Sequence, residues 1–351
     1  MKKSLLAVAL LGAFGVASAQ SSVTVYGTLD AGLNYSKVES GNSVTALESG
    51  QQSYSRLGFK GTEDLGDGLK ALFVLEQAVS IDTGNTTDVS APGSTNGKGL
   101  FSSQAYVGLS SNNLGTLKLG RQFTPMYEAH EQIDPFKVGF AANINNFFGE
   151  GQAERMSNAV TYTTADNLNG FKASVAYGFG EVAGNTSALS QAGASLAYAN
   201  GPLLVTYAYH QMKSDVATPT TPEYTAKSNF LGATYDFGVA KAHVAFDQNE
   251  LNNNSFKTQD YLVGVTVPFG AHAVFADYTH KKDKVNNNAD SDQFAVGYTY
   301  SLSKRTNLYT AYTYVKNDDN SAMTTASLPS TLVGVDGKSV STFQVGVRHS
   351  F

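Results

Sequence analysis

The sequence predicts an all-β fold, a 16-stranded antiparallel transmembrane β-barrel with short periplasmic turns, long external loops and a third loop folded into the lumen. Three observations predict it. Apolar and polar residues alternate with period two from end to end. Short turns alternate with long polar stretches, as in barrels that cross a membrane. No run after residue 19 approaches the ~18 consecutive apolar residues of a membrane helix, and apart from helices only closed barrels satisfy their backbone in hydrocarbon.

The elements follow in order. Residues 1–19, MKKSLLAVALLGAFGVASA, carry Lys2 and Lys3, an apolar run from Leu5 to Val16 and then Ala17-Ser18-Ala19. That is the pattern of a signal peptide cleaved before Gln20, so residues 20–351 are expected to form one barrel domain. In SVTVYGTLDAGLNY, Val23, Val25, Leu29, Ala31, Leu33 and Tyr35 alternate with Thr24, Tyr26, Thr28, Asp30 and Asn34. The same beat recurs in LKALFVLEQ, QAYVGLSS, FKASVAYGF, AGASLAYA, FLGATYDF, AKAHVAFDQ, QDYLVGVTVPF and DQFAVGYTY, which reads as strand with one greasy and one polar face. EDLGDG, NNLG, ADNLNG, ANGP, DFGV, PFGA and SLSKRT supply the tight turns, using Gly, Asn and Asp where positive φ is needed. Between them lie polar stretches at 39–50, 82–99, 123–154, 181–190, 215–225, 249–255, 284–290 and 319–340. The strands so delimited number sixteen.

The chain ends on STFQVGVRHSF, with Phe343, Val345, Val347 and Phe351 on one parity. A barrel explains an ending inside a strand: the last strand pairs with the first, because an open edge in lipid leaves backbone groups unsatisfied. The 19 Tyr and 20 Phe cluster near strand ends, where aromatic girdles meet the interfaces. A soluble β-sandwich or β-helix would need a second apolar face, which these strands lack.

Composition excludes several classes. With 24 basic against 29 acidic side chains and no basic face, nucleic acid is not an expected partner. Without cysteine there is no disulfide, thiolate metal site or Cys nucleophile. APGSTNGKGL fails as a phosphate loop, since three residues separate Gly93 from Gly97 and Gly99 follows Lys98 where Ser or Thr is required. His130, His210, His243, His272, His280 and His349 show no metal-ligand spacing. His243 and Asp247 share a strand face about 13 Å apart, too far for a catalytic pair. NNNADSDQ offers oxygen ligands for a loose calcium site and equally the Asn-rich chemistry of turns. No catalytic constellation, cofactor or metal is expected.

The longest interruption of the β pattern is 123–154, FTPMYEAHEQIDPFKVGFAANINNFFGEGQAE. Loops beyond ~12–15 residues without their own secondary structure are usually functional. This one sets Glu128, Glu131, Asp134, Glu150 and Glu154 against Lys137 alone, and adds Phe136, Phe140, Phe147 and Phe148. Aromatics packed on the wall with carboxylates shown to water would make an internal constriction. Parity selects the opposing wall. Leu57 and Phe59 face lipid, placing Arg56, Gly58 and Lys60 inside; Lys70 and Glu76 are lumenal; Leu117 and Leu119 place Lys118 inside. Arg155 points inward if Val160 and Tyr162 face lipid. An arginine on the lipid face near midplane would cost ~2–4 kcal/mol.

Taken together, SSVTVYGTLDAGLNY, SRLGFKGTEDLGDGLKALFVLE, SSQAYVGLSSNNLGTLKLGRQ, ERMSNAVTYTT and the closing VGVRHSF resemble the general-diffusion porins of Gram-negative bacteria, in the betaproteobacterial and neisserial branch. The resemblance spans residues 21–351. It implies an outer-membrane homotrimer among lipids and lipopolysaccharide, passive diffusion of ions and small hydrophilic solutes, and a C-terminal aromatic, Phe351, read by the barrel-assembly machinery. It also implies an arginine cluster matched here by Arg56 and Arg155. Where some relatives carry arginine before QAYVGL, this chain has Ser103, which would widen the constriction and weaken its positive field. Arg121 shares the parity of Leu119; it sits at a strand end or faces a neighbouring subunit, whose second loop, with Asp82 and Asp88, would pair with it. The resemblance favours the subunit interface.

Counting lumen-parity charges sets Arg56, Lys60, Lys70, Lys118, Arg155, Lys172, Lys241 and Arg348 against Asp30, Glu76, Asp236, Asp247 and Asp260. The wall leans toward anions and the loops toward cations, so a weak anion preference is expected. The alternatives are a substrate-specific channel, which would want an aromatic slide, an adhesin, and a barrel enzyme, which would want paired acids and histidines at the rim or a Ser-His couple on the outer face. Neither pattern stands out.

Overall fold

The computed structural model describes residues 22–86, 99–149, 153–166, 168–214 and 224–351. The signal-peptide residues, Asp88, Glu150 and most of APGSTNGKGL lie outside them. In chain order the strands are β1 (Ser22–Val38), β2 (Ser43–Ser49), β3 (Arg56–Gly66), β4 (Leu69–Ser80), β5 (Asn85–Thr86), β6 (Gln104–Ser111) and β7 (Gly115–Phe123). A segment bearing two helices separates these from β8 (Arg155–Thr163), β9 (Phe171–Gly178), β10 (Gln191–Asn200), β11 (Leu203–Lys213), β12 (Thr225–Asp236) and β13 (Lys241–Leu251). The wall is completed by β14 (Lys257–Phe269), β15 (His272–Asp283), β16 (Ser291–Ser301), β17 (Thr306–Asn317) and β18 (Val340–Ser350).

Leaving aside β2 and β5, the other sixteen strands form the wall. Each pairs antiparallel with the next, and β18 returns to β1 with register from Thr28↔Ser350 to Val38↔Val340. Closure runs to the last residue: Gly27 N–H donates to the Phe351 carbonyl at 3.2 Å and Phe351 N–H to the Gly27 carbonyl at 3.1 Å. A side chain at position 27 would lie 2.6 Å from the Phe351 ring, so glycine lets the terminal ring lie flat across the seam.

The first loop departs from the sequence reading, because residues 43–49 of the expected 39–50 loop form β2. The cause is the length of β1, 17 residues. Its first half pairs with β3, from Ser22↔Thr62 to Thr28↔Arg56. Its second half rises beyond β3, and β2 folds back along it from Ala31↔Ser49 to Lys37↔Ser43. An edge that would otherwise carry unpaired N–H and C=O groups is thereby filled.

The wall is inverted relative to a soluble fold. Along β14 the exposed residues include Tyr261, Val263, Val265 and Val267 in alternation, while Thr258, Asp260 and Leu262 are buried. Exposed aromatics gather toward both rims, for example Tyr235, Phe237, Phe269 and Tyr300 beside the short turns, and Tyr35, Tyr177, Tyr261 and Tyr278 toward the long loops. The buried apolar residues lie inside the ring, against one side of it. Met126, Ile133, Ile144, Phe147 and Phe148 pack with Ala208, Phe230 and Leu262 of the wall, and Phe136 and Phe140 with Phe275 and Tyr309.

Parity within one strand gives a direct test. Val263→Arg, at the middle of β14 on the outer face, is expected to lower unfolding free energy in lipid vesicles by ~2–4 kcal/mol. Thr266→Arg, three residues on and lumenal, should cost only about 1 kcal/mol, the loss of its hydroxyl's hydrogen bond to His243 Nε2 at 3.1 Å. Denaturant titration of the two variants in vesicles compares them; equal losses would contradict the assignment of faces.

Candidate functional site

The segment between β7 and β8 builds the site. Thr124 caps α1 (Pro125–Ile133), its hydroxyl accepting the Tyr127 N–H at 3.1 Å, with Pro125 in the first turn where its missing N–H costs nothing. The helix lies against β10, β11 and β12. It stops at Asp134, whose carboxylate accepts the N–H groups of Phe136, Val138 and Ile144 at 2.8, 2.9 and 3.0 Å. The chain winds around that anion with Lys137, Val138 and Phe140 at positive φ, then enters the single-turn α2 (Asn145–Phe148).

Wall side chains pin this loop by its backbone. His243 Nδ1 lies 2.6 Å from the Ile133 carbonyl. Lys281 Nζ donates to the Phe147 carbonyl at 2.8 Å, and Gln293 Nε2 to that of Ala142 at 3.1 Å. Gln344 Oε1 accepts the Ala141 N–H at 2.8 Å, and the Gln51 carbonyl accepts the Phe140 N–H at 2.5 Å. Gly139 allows this last approach, since a Cβ there would collide with the Gln52 carbonyl. The pins satisfy main-chain groups that a loop in the lumen would otherwise leave to water. The four phenylalanines are buried as expected, and His130 joins them, its ring against Phe148 and Phe230; burial pushes its pKa down to about 4, so it is neutral.

The loop crosses to β10–β18 and leaves a cavity of ≈ 530 Å³ whose charged lining is Arg56, Lys137, Lys241 and Arg348 with Glu131 and Asp236. Arg56 is half-buried, its Nε 3.8 Å from Glu76. Lys60 lies over the Tyr26 ring at 4.8 Å and Lys118 over Tyr106 at 5.1 Å, both on the lumen face. Lys70 is lumenal but sits beside the turn at Gly68, opposite Ser110, away from the loop. On the loop, Glu131 is exposed and Glu128 half-buried. Burial raises the Glu128 pKa, with Lys118 pulling it back.

Two residues depart from the sequence reading. Asp134 shows no carboxylate to water: it is fully buried and serves as the internal anchor of the loop. Burial lifts its pKa to about 6 against the pull of its three N–H donors. Arg155 is 2% exposed, so it does not stand free on a basic wall. Its guanidinium bonds Glu154 at 2.7 Å and the Ser103 carbonyl at 3.1 Å, over the rings of Phe123 and Tyr54. Parity could not place it, because β8 bulges against β7 between Gly120 and Gln122, with Asn158 at φ 52. Arg121 lies on the outer face near the strand end, bonding the Ser102 carbonyl at 2.5 Å and the Ser157 hydroxyl at 2.8 Å. Lys137, weighed in the sequence only as the lone cation of an acidic loop, lines the cavity near Lys241.

A closed sixteen-stranded barrel with a loop pinned inside its lumen defines the class of channel-forming outer-membrane proteins. Residues 6–320 match the Gram-negative porin family, and the chain belongs to that family. It is 34% identical to outer membrane porin protein 32 of Delftia acidovorans and 33% identical to an outer membrane porin protein of Bordetella pertussis, in each case over 100% of both chains. Among solved structures, the anion-selective porin from Comamonas acidovorans superposes with a TM-score of 0.82 at 31% identity, covering 94% of this chain and 100% of that one.

Asp134→Ala is expected to orphan three buried N–H groups at ~1–3 kcal/mol each. The barrel should survive while the loop loosens. In planar bilayers this would appear as larger and noisier single-channel currents, with wild-type currents arguing against Asp134 as the anchor.

Proposed function

We propose that the protein is a water-filled channel of the outer membrane for passive diffusion of ions and small hydrophilic solutes, with a weak preference for anions. Family and fold support reading it as a channel rather than an enzyme. The observation that supports the anion preference is a difference in burial between the two signs of lumenal charge. Asp30, Glu76, Asp247 and Asp260 are each at most 2% exposed and engaged within the protein, and of the five lumen-parity acids Asp236 stays exposed at the cavity. Asp30 accepts from Tyr309 Oη at 2.6 Å and from the N–H groups of Gln52 and Ser53. Glu76 accepts from Ser103 Oγ at 2.6 Å and Tyr26 Oη at 2.9 Å. Arg56, Lys60, Lys118, Lys241 and Arg348 remain exposed or half-buried. Charges in contact with water act on passing ions, while buried, hydrogen-bonded ones act weakly.

Arg56, Lys60 and Lys118, with Arg348, form the basic wall in this reading, and Glu128 and Glu131 supply the loop acids that soften the preference. Lys70 adds charge toward the periplasmic mouth, and Arg155 acts by bracing the base of the loop. The chain is read as a homotrimer with Arg121 at the subunit contact, and Phe351 as the residue presented to the assembly machinery. Lys213, Lys227, Lys257, Lys282 and Lys316, at outward positions on the external ends of their strands, would meet lipopolysaccharide phosphates.

Reversal potentials under a KCl gradient are expected to show anion preference. Arg56→Ala should reduce it by about threefold, the Boltzmann weight of ~0.6 kcal/mol that a unit charge exerts at ~7 Å in water, and Lys241→Glu, which reverses a charge, by about sevenfold. A cation preference in the wild type would reject the proposal.

A further inference from the structure

Behind the loop, on the lumen face of β15, β16 and β17, lies a patch of buried oxygen atoms that neither wall nor loop satisfies. Asp277 is 7% exposed, and neither of its carboxylate oxygens has a hydrogen-bond partner. Thr279, two residues on, is fully buried with its hydroxyl unpartnered. Gln293 stands opposite Thr279; its Nε2 holds the Ala142 carbonyl, and its Oε1 is unpartnered. Thr313, also buried and unpartnered, stands opposite Ala295, which is itself opposite Asp277. Cross-strand neighbours on one face sit ~5 Å apart and same-face neighbours along a strand ~7 Å, so these atoms share one patch. The loop roofs it: Pro135 sits over Gly264, the cross-strand neighbour of Asp277.

Neutral hydroxyl and amide oxygens can be met by buried water. A buried carboxylate with neither oxygen hydrogen-bonded needs a proton or a cation to compensate it. Lys281, on the same face two lumenal positions along, has its ammonium on the Phe147 carbonyl and 3.6 Å from Asp260, and Asp260 is paired opposite Asp247. Lys281 is therefore already shared among other groups. The donor set is a carboxylate, an amide carbonyl and two hydroxyls, with no imidazole or thiolate. Such all-oxygen, irregular sites suit calcium, whereas magnesium demands a near-ideal octahedron and zinc prefers nitrogen or sulfur.

We propose that a calcium ion binds Asp277, Thr279 and Gln293, with Thr313 beside them, and ties the underside of the loop to the wall. Its effect on the channel rests on the reading of residues 123–154 as the constriction; the binding itself does not. Equilibrium dialysis of detergent-purified protein with radioactive calcium should show one ion per chain more for the wild type than for Asp277→Asn, both verified as folded by heat-dependent mobility on gels. Equal counts would overturn the site, leaving a proton or water to compensate Asp277. Thr279→Val and Gln293→Leu, which keep the carboxylate, should each weaken the same site about tenfold, comparable to the loss of a supporting metal-site contact. If Asp277→Asn fails to fold, unchanged affinity in both of these variants overturns the site instead. In planar bilayers, a calcium chelator should raise the current noise of the wild type and leave Asp277→Asn unchanged. A calcium count that differs without a change in noise would keep the site and remove its role in the constriction.

Discussion

The pairing of β18 with β1 is the constraint on which the structure depends. In hydrocarbon no water is available to an unpaired N–H or C=O, so every strand edge must be occupied. That requirement explains why the final residue lies in the wall, bonded to Gly27, and why an accessory strand fills the free half of an overlong β1. It also explains the inverted polarity. Once the ring closes, its outside is the greasy face and its inside has no apolar core of its own.

The loop takes the place of that core. Its aromatic and aliphatic residues pack on Phe230, Leu262, Phe275 and Tyr309, small apolar islands in an otherwise polar lumen. Between the islands, His243, Lys281, Gln293 and Gln344 hold the loop backbone directly. Both kinds of contact are needed. Packing fixes which side of the barrel the loop occupies, and the polar pins satisfy peptide groups that packing alone would bury unpaired. Asp134 supplies the internal counterpart, gathering three N–H groups so that the loop keeps its shape between pins.

The electrostatics follow from this packing more than from the charge inventory. Covering β13–β15 with the loop hides Asp247, Asp260 and Asp277 from the channel, and the 51–53 segment does the same to Asp30. The cations at Arg56, Lys60, Lys118, Lys241 and Arg348 stay on uncovered wall. Lys137 joins them because the left-handed turn after Asp134 swings it toward Lys241 and the cavity.

Strand number, the facing of wall residues in unbulged strands, the pairing of the last strand with the first and the special standing of residues 123–154 were all legible in the sequence. Period-two alternation is a local property, and in a membrane it translates directly into inside and outside. Arg155 shows where that ends. A bulge at Asn158 breaks the count, and no periodicity announces a bulge. Asp134 and Lys137 exchanged their expected parts for a related reason: whether a loop charge meets water depends on which backbone groups fold around it and which wall lies behind it. Sidedness was determined residue by residue along the chain. The charges that reach the channel were decided only by the closed barrel and the loop within it, because burial and ion pairing are set by neighbours distant in sequence.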